Sequence, residues 1–158
     1  MQVDTLILHN VRSAYNVGAI LRTAECAGVR TVCLCGYTPD PVDRFGRVRQ
    51  DVAKVALGAE ELVSWEHCAD IARLIPKLRK QGVTVVAFEQ HKQSKDYRTF
   101  RVDRPLALVV GEEVHGIEEP LLAACDHIVE IPLMGKKESL NVSVATGIAL
   151  FGLGGGAS

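Results

Sequence analysis

The sequence predicts an α/β fold, a mostly parallel sheet with helices on both faces. Two observations predict it. Short apolar runs alternate with stretches in which apolar residues recur at helical spacing, which is the pattern of strand–helix–strand units. Two of the runs, VTVVAF (83–88) and LALVV (106–110), are unbroken, as in strands that are buried on both faces.

The length and composition predict one globular domain, spanning residues 1–158. The chain has 158 residues, of which 47% are hydrophobic and 23% charged. These values are ordinary for a folded domain of this size. They exclude a disordered chain, a collagen-like chain and a small disulfide scaffold.

The first half of the chain contains three predicted strands and two predicted helices. The strands cover residues 5–9 (TLILH), 31–35 (TVCLC) and 62–65 (LVSW). The first helix ends at Gly28 and has apolar residues at helical spacing, namely Val17, Ile20, Leu21 and Ala24. The second helix is expected over about residues 67–80, where Pro76 is expected to kink or shorten it.

In the second half, strands 83–88 and 106–110 are expected at the centre of the sheet. A short helix over 120–124, a strand over 128–131 and a closing helix over 140–153 follow. The closing helix is apolar almost all round, and one small sheet cannot bury all of it. This pattern predicts a subunit interface on that helix. The glycines at 154–156 are expected to form a frayed end.

Charge does not predict a partner for the whole molecule. Eighteen Lys and Arg residues oppose nineteen Asp and Glu residues, so any site for a polyanion must be local. The two longest irregular stretches, 36–50 and 89–104, are candidates because long loops are commonly functional. Their basic residues are Arg44, Arg47 and Arg49 in the first, and Lys92, Lys95, Arg98, Arg101 and Arg104 in the second. The alternative is that these are solvated surface charges.

The five cysteines predict neither a disulfide framework nor a zinc knuckle. They are odd in number and contain no CxxC pair, so we interpret them as small buried thiols. Metal binding by Cys33 and Cys35, which share one face of a strand, is the less favoured alternative.

No apolar run approaches the roughly 18 residues of a membrane span. The first residues lack a basic region before an apolar run, so a cytoplasmic location is expected.

Ligands of such sheets bind at the carboxyl ends of the strands, where three polar segments occur. The first, residues 10–22, opens a helix with Asn16 and Gly18, and either Asn10 or Ser13 is expected to cap it. Arg12 and Arg22 place cations near its first turns. Glu25 is expected to orient Arg22, and an oriented arginine suits a phosphate.

The second polar segment is GEEVHGI (111–117). Its glycines are expected to let the backbone approach a ligand closely. Glu112 and Glu113 should point to opposite sides of an extended chain, which disfavours an acid–base pair, and His115 is expected to be a solvated loop residue. The segment matches neither GxxxxGK[ST] nor GxGxxG, which disfavours a nucleotide hydrolase and a dinucleotide enzyme.

The third polar segment covers residues 131–145. Ser139 is expected to cap a helix that starts near Leu140. Asn141 and Ser143 place polar side chains in the first turn of an otherwise apolar helix. Buried polar groups need partners, and a ligand at the helix N-terminus would be one.

Taken in order, the segments NVRSAYNVGAILRTAECAGV, VVGEEVHGI and IPLMGKKESLNVSVATGIALF resemble the three motifs of the TrmH (SpoU) family of SPOUT methyltransferases. The match covers nearly the whole chain. The resemblance implies an α/β fold with a deep trefoil knot near the C-terminus. It also implies S-adenosylmethionine as the methyl donor, a homodimer whose active site lies at the interface, and methylation of an RNA ribose 2'-hydroxyl.

The resemblance also implies roles for individual residues. The active-site positions are Asn16, Arg22, Glu113, Ser139 and Asn141. The cofactor-binding positions are Glu89, Gly111, Ile131, Leu133 and Leu140. One departure is visible, because Glu112 stands where the family usually has Asn. With no additional RNA-binding domain expected, we assign RNA contact to Arg12, Arg44, Arg47 and Arg49, and to the basic residues of 92–104.

Physical chemistry agrees with this interpretation. A sulfonium methyl group is already electrophilic, so the enzyme must mainly align it with an oxygen and stabilise developing charge. Such a mechanism needs no metal, and none is predicted. A guanidinium has a pKa above about 12, so Arg22 is predicted to act as a fixed cation rather than as a proton acceptor.

Three alternatives stay open at this point. One is a non-catalytic RNA-binding member of the family, which the retained Arg22, Glu113, Ser139 and Asn141 disfavour. Another is a SPOUT enzyme that methylates a base in rRNA or tRNA, which the NxGxxxR pattern of the ribose-modifying branch disfavours. Without the resemblance, a flavin or mononucleotide binder would also fit. The small size favours tRNA over rRNA as the substrate.

Overall fold

The computed structural model describes residues 2–154 and contains one seven-stranded sheet. The strands are β1 Val3–His9, β2 Thr31–Cys35, β3 Ser64–Cys68, β4 Thr84–Phe88, β5 Lys95–Asp96, β6 Leu106–Val110 and β7 His127–Glu130. Their order across the sheet is β3-β2-β1-β6-β4-β7-β5, and each pairing between these strands is parallel. The prediction of a parallel α/β sheet is confirmed.

In the described part of the chain, six helices accompany the sheet. They are α1 Ala14–Cys26, α2 Gln50–Ala56, α3 Ala59–Leu62, α4 Ile71–Lys80, α5 Glu119–Ala124 and α6 Val142–Gly154. Gly154 ends α6, and the rest of the predicted frayed end, residues 155–156, lies outside the described residues. None of these helices is both long and apolar enough to cross a membrane.

Apolar side chains form one layer on each side of the sheet. In one layer Leu6, Leu8 and Leu108 of the sheet pack with residues of α1 and α6. In the other, Ile7 and Val109 pack with residues of α4 and α5. Because neighbouring residues of a strand point to opposite faces, β6 has to be apolar at every position, and all five of its residues are buried. Strand β6 is therefore central, as predicted.

The third strand and the second helix differ from their prediction. Strand β3 begins at Ser64 rather than at residue 62, because Leu62 ends the short helix α3. His67 belongs to β3, and α4 begins only at Ile71, where Asp70 accepts a hydrogen bond from the backbone N–H of Ala72 at 2.9 Å. As an edge strand that is largely exposed, β3 needs no apolar pattern, and its sequence SWEHC has none. Pro76 does not shorten α4, which continues to Lys80.

Three of the five cysteines are buried as predicted, whereas Cys26 is exposed and Cys68 is intermediate. Burial, together with a hydrogen bond to Glu66, raises the pKa of the Cys33 thiol to about 12. Such a thiol is protonated at neutral pH and is a poor nucleophile. Within residues 2–154, no group of three or more His, Cys, Asp or Glu side chains is arranged to hold a metal ion.

Helix α2 starts at the end of the predicted irregular stretch and was not predicted. It packs on α1 at Gly18, where a Cβ atom would lie only 2.6 Å from the backbone oxygen of Val52. Gly18 is therefore needed for the close approach of two helices. This approach holds α1, the helix that carries Asn16, against the rest of the fold.

Substitution Gly18→Ala is expected to destabilise the protein. The overpacking cost of about 1–3 kcal/mol exceeds the gain in helix propensity, which is at most about 1 kcal/mol. The free energy of unfolding from urea denaturation measures the loss. Gly135→Ala is the control, because its Cβ would meet no other atom within 4 Å and should cost nothing. Equal stability of Gly18→Ala and the wild type would show that α1 and α2 can separate freely.

Candidate active site

The carboxyl ends of the central strands surround a cavity of about 320 Å³. Its walls come from the ends of β4 and β7, from the loop after β6 (residues 111–117) and from the segment 138–146. The structure places all five predicted cofactor-binding positions in these walls: Glu89, Gly111, Ile131, Leu133 and Leu140. Two predicted active-site residues, Glu113 and Ser139, also line the cavity. Further lining residues were not predicted as site residues from the sequence, among them Phe88, Glu130, Glu138 and Thr146.

Two glycines let the loop after β6 fold back on itself. A Cβ atom on Gly111 would lie 2.7 Å from the backbone of Gly116, and one on Gly116 would collide with the carboxylate of Glu89. Gly116 also has a φ of 68°, which favours glycine. Both glycines also line the cavity, where the close approach of the backbone to a ligand stays a prediction. They bring the loop against its own start and against β4.

Glu89 ties the end of β4 to this loop. One of its carboxylate oxygens accepts a hydrogen bond from the backbone N–H of Ile117 at 3.0 Å, and the other accepts one from Gln90 at 2.9 Å. Each oxygen retains a second lone pair. Glu89 therefore both builds the wall of the cavity and offers acceptors to a ligand.

Glu113 is the point at which the three polar segments meet. Its Oε1 accepts hydrogen bonds from the backbone N–H of Ser13 at 3.0 Å and from Nδ2 of Asn16 at 3.4 Å. Its Oε2 accepts one from the backbone N–H of Arg12 at 3.1 Å. Asn16 in turn accepts a hydrogen bond from Nδ2 of Asn141 at 3.3 Å. Three of the predicted active-site residues, Asn16, Glu113 and Asn141, thus form one chain of contacts.

The electrostatics keep Glu113 ionised. Burial alone would raise the pKa of Glu113, but the backbone donors of Ser13 and Arg12 outweigh burial and hold the pKa below its usual range. A carboxylate with this many donors has a fixed orientation. It therefore also fixes the amide of Asn16, which is buried beside it.

Glu112 and Glu113 bind different partners, although both line the cavity and the chain turns at Glu113 rather than staying extended. Its Oε2 accepts hydrogen bonds from the backbone N–H of His115 at 2.6 Å and from the His115 ring at 2.9 Å. The backbone bond is the main cause of the lowered pKa of Glu112. The His115 side chain is 84% exposed, as expected of a solvated loop residue, but Glu112 holds its ring in place. Glu112 therefore has a structural role in the loop that follows β6.

Two predictions about the start of α6 are wrong. The helix begins at Val142, and its first turn is capped by Asn141, whose Oδ1 accepts a hydrogen bond from the backbone N–H of Ser143 at 2.8 Å. Ser139 lies before the helix in the cavity wall and does not cap it. Asn141 is exposed and Ser143 only partly buried, so neither is a buried polar group in need of a ligand.

Arg22 lies apart from the cavity. It is exposed on α1, and it makes no ion pair with Glu25 in the part of the chain that the structure describes, so the predicted orientation by Glu25 is wrong. Asn16 and Arg22 are six residues apart on one helix, which places them about 120° apart around its axis. Arg22 therefore does not lie on the face of α1 from which Asn16 contacts Glu113.

The family model described as the SpoU rRNA Methylase family matches residues 5–151. The chain belongs to the SpoU rRNA methylase family. The resemblance inferred from the three motifs is confirmed, and with it the α/β architecture of the SPOUT methyltransferases.

Curated relatives of this SpoU family chain include the 23S rRNA (guanosine-2'-O-)-methyltransferase RlmB of Ralstonia nicotianae, which is 38% identical over 146 residues. The match covers 92% of this chain and 56% of that protein. RlmB of Escherichia coli K12 is 37% identical, with 92% and 57% covered. The SpoU chain thus spans little more than half the length of the curated relatives it matches.

Solved structures of other family members share the fold. The rRNA methyltransferase from Sinorhizobium meliloti with bound AdoMet superposes with a TM-score of 0.85 at 32% identity, covering 97% of this chain and 56% of that one. The A. aeolicus TrmH/SpoU tRNA modifying enzyme superposes with a TM-score of 0.82 at 27% identity, covering 97% and 75%. The SpoU chain therefore has the same arrangement of sheet and helices as these proteins.

Substitution Glu113→Gln is expected to change how stability depends on pH. Because the folded pKa is lowered, the contribution of Glu113 is complete above the ordinary glutamate value of about 4.3 and is lost as pH falls through the folded value. The difference in free energy of unfolding between wild type and variant should therefore be largest near neutral pH and shrink in acid. Urea denaturation over a pH series measures it.

The control is Glu25→Gln, which replaces an exposed side chain on α1 that makes no contact with Glu113. This variant should follow the wild type. A constant difference between wild type and Glu113→Gln at all pH values would show that the ionised Glu113 contributes nothing specific.

Proposed function

We propose that the protein is an S-adenosylmethionine-dependent RNA methyltransferase that acts on a ribose 2'-hydroxyl. The observation that carries this proposal is the contact chain Glu113–Asn16–Asn141 beside the cavity at the carboxyl edge of the sheet. Its support is the family, whose matched members are named as ribose methyltransferases of 23S rRNA. The non-catalytic and base-methylating alternatives gain no support from these names.

The cavity suits the methyl donor in size and in chemistry. Its volume of about 320 Å³ lies in the range of small-molecule sites. Leu133, Leu140 and Phe88 supply apolar surface for a purine ring, and Glu89 supplies acceptors for ribose hydroxyls. The carboxylates of the lining, including Glu113, favour a positively charged sulfonium. When bound, S-adenosylmethionine would supply an electrophilic methyl group. The AdoMet found in the S. meliloti protein supports this assignment.

The chain's own residues would position the acceptor ribose. The fixed carboxylate of Glu113 orients the Asn16 amide, and Asn141 donates to the same amide from the start of α6. Such prearranged donors and acceptors reduce the cost of orienting a substrate. The proton of the ribose hydroxyl would pass to solvent, and Arg22 would stabilise the oxygen as it does so. Since Arg22 does not line the cavity of its own chain, we propose that it acts across a dimer interface.

Substitution Arg22→Lys is expected to lower methyl transfer at least about tenfold, because an ammonium keeps the charge but not the planar fork of donors. Transfer of a labelled methyl group to RNA measures turnover, and calorimetry should show unchanged binding of S-adenosylmethionine. Arg30→Lys is the control, since Arg30 is exposed and paired with Asp4 at the other end of the sheet. Near-normal turnover of Arg22→Lys would contradict the proposed role.

The proposed substrate is ribosomal RNA. The curated relatives are named for 23S rRNA, which gives the earlier preference for tRNA less support, although the A. aeolicus relative is named a tRNA modifying enzyme. Mapping of ribose methylation in cells with and without the gene would identify the RNA and the nucleotide. Arg12, Arg44, Arg47 and Arg49 remain the proposed RNA contacts.

We propose that the protein is a homodimer joined through α6. Apolar side chains that are exposed or partly exposed recur along one side of this helix: Val144, Ile148 and Phe151. Val144 is 52% exposed and Phe151 is 56% exposed. A stripe of this kind is self-complementary about a two-fold axis.

We also propose a single domain with the C-terminal trefoil knot that the family resemblance implies.

Substitution Val144→Asp is expected to convert the dimer to a monomer, because a carboxylate would be buried without a partner at the interface. Light scattering after size-exclusion chromatography measures the mass, which for the wild type should be twice that of the 17.1 kDa chain. Leu62→Asp is the control: it changes an exposed apolar residue on α3, outside the proposed interface, and should leave the mass unchanged. A wild-type monomer at micromolar concentration would refute the dimer.

A further inference from the structure

The loop after β2 ends in a small ordered turn, which we call the hairpin tip (residues 42–48). Val42 and Val48 form an antiparallel bridge, and the backbone N–H of Asp43 donates to the oxygen of Arg47 at 2.8 Å. The Asp43 carboxylate accepts hydrogen bonds from the backbone N–H of Phe45 at 2.8 Å and of Arg47 at 3.0 Å. The hairpin tip is thus held by its own hydrogen bonds.

Phe45 stands at the end of the hairpin tip and is 67% exposed. The guanidinium of Arg44 lies 4.8 Å from the centre of its ring and that of Arg47 lies 5.0 Å away. Exposing a ring of this size forgoes the stabilisation that burial would bring. Although two guanidiniums lie this close to the ring, Phe45 stays mostly exposed, so an ordered turn holds aromatic surface open to solvent, as a binding surface does.

Charge alone does not make this loop a site for RNA. Asp43 pairs with Arg47 at 2.8 Å, and Asp51 pairs with Arg49 at 2.7 Å. The loop is predicted from its sequence to be locally basic, and these two ion pairs reduce the net positive charge that Arg47 and Arg49 present to an RNA phosphate. The feature of this loop that favours RNA binding is therefore its exposed aromatic surface, and the guanidiniums make a smaller contribution.

A second aromatic–arginine pair lies closer to the cavity. Tyr37, at the start of the same loop, is 53% exposed, and the guanidinium of Arg12 lies 5.6 Å from the centre of its ring. The backbone N–H of Tyr37 donates to Asn10 at 3.1 Å, which fixes its position. Because the backbone of Arg12 also donates to Glu113, this pair adjoins the proposed active site.

We propose that Phe45 is a stacking platform for an unpaired base of the RNA substrate, away from the methylated nucleotide, with Tyr37 as a second platform nearer the active site. This inference rests on the proposed function. Every base has a π-face, so stacking on an aromatic ring tolerates any sequence, and guanidiniums beside the ring add attraction. Arg44 is placed to contact a neighbouring phosphate. Phe45 is thus a binding residue that sequence reasoning, directed at charge, did not identify.

The test compares Phe45→Ala, Phe45→Trp and Arg44→Gln in binding labelled single-stranded oligouridylate, followed by fluorescence anisotropy over a series of salt concentrations. Phe45→Ala should weaken binding about five- to hundredfold without changing the slope of log affinity against log salt. Phe45→Trp should retain binding. Arg44→Gln should reduce the slope by about one, because it removes one phosphate contact.

A direct readout comes from Phe45→Trp combined with Trp65→Phe, which leaves a single tryptophan at the hairpin tip. Stacking should quench its fluorescence when oligouridylate binds and should quench it much less with a fully paired RNA duplex, whose bases are unavailable. Because Phe45 is exposed, Phe45→Ala should melt at the wild-type temperature, which excludes misfolding as the cause of weaker binding.

Unchanged oligouridylate binding by Phe45→Ala, or a tip tryptophan that is not quenched, would overturn the proposal. If Phe45→Ala lost affinity for a paired RNA duplex as much as for oligouridylate, the proposal would also be overturned, because the ring would then not be stacking on an unpaired base. Calorimetry measures binding of S-adenosylmethionine independently, so it tests the proposed function separately from the stacking platform. If oligouridylate bound through Phe45 and S-adenosylmethionine did not bind at all, the proposed stacking on Phe45 would be supported and the proposed methyltransferase activity would be refuted.

Discussion

The carboxylate of Glu113 is the contact on which the proposed site depends. It accepts backbone hydrogen bonds from Arg12 and Ser13 and a side-chain bond from Asn16, residues about a hundred positions earlier in the chain. A partly buried carboxylate without such donors would be costly, so the loop after β1 has to close over the loop after β6. That closure brings the start of α1 and, through Asn141, the start of α6 to one edge of the sheet.

The two adjacent glutamates of the loop after β6 have different structural roles. Glu113 faces the neighbouring loop, while Glu112 turns to His115 and holds the loop's own shape. Gly111 and Gly116 permit this shape because a side chain at either position would meet backbone or the Glu89 carboxylate. Glu112, where the family usually has Asn, therefore has a role in the folded loop that does not require contact with a substrate.

Recognition of RNA poses a different physical problem, because the chain as a whole carries a formal charge of only -1. Several of the arginines that appear basic in sequence are paired with aspartates, as Arg98 is with Asp96 at 2.5 Å. Exposed ion pairs of this kind leave little net charge to attract a polyanion. The aromatic–arginine pairs at Tyr37 and Phe45 supply an attraction that does not depend on net charge.

Sequence alone determined the features that depend on neighbouring residues. The unbroken apolar runs identified β4 and β6, the spacing of apolar residues identified α1, and three motifs identified the family. Those motifs also supplied the cavity-lining positions such as Gly111 and Leu133, since motif residues follow the strand ends at which such sites form. Only the tertiary structure decided the rest. It placed the polar strand β3 at an edge, made Asn141 rather than Ser139 the cap, left Arg22 away from Glu113 and paired the loop arginines with aspartates. Each of these outcomes depends on which distant residues meet or on the geometry of the folded backbone, and the spacing of residues along the chain does not contain that information.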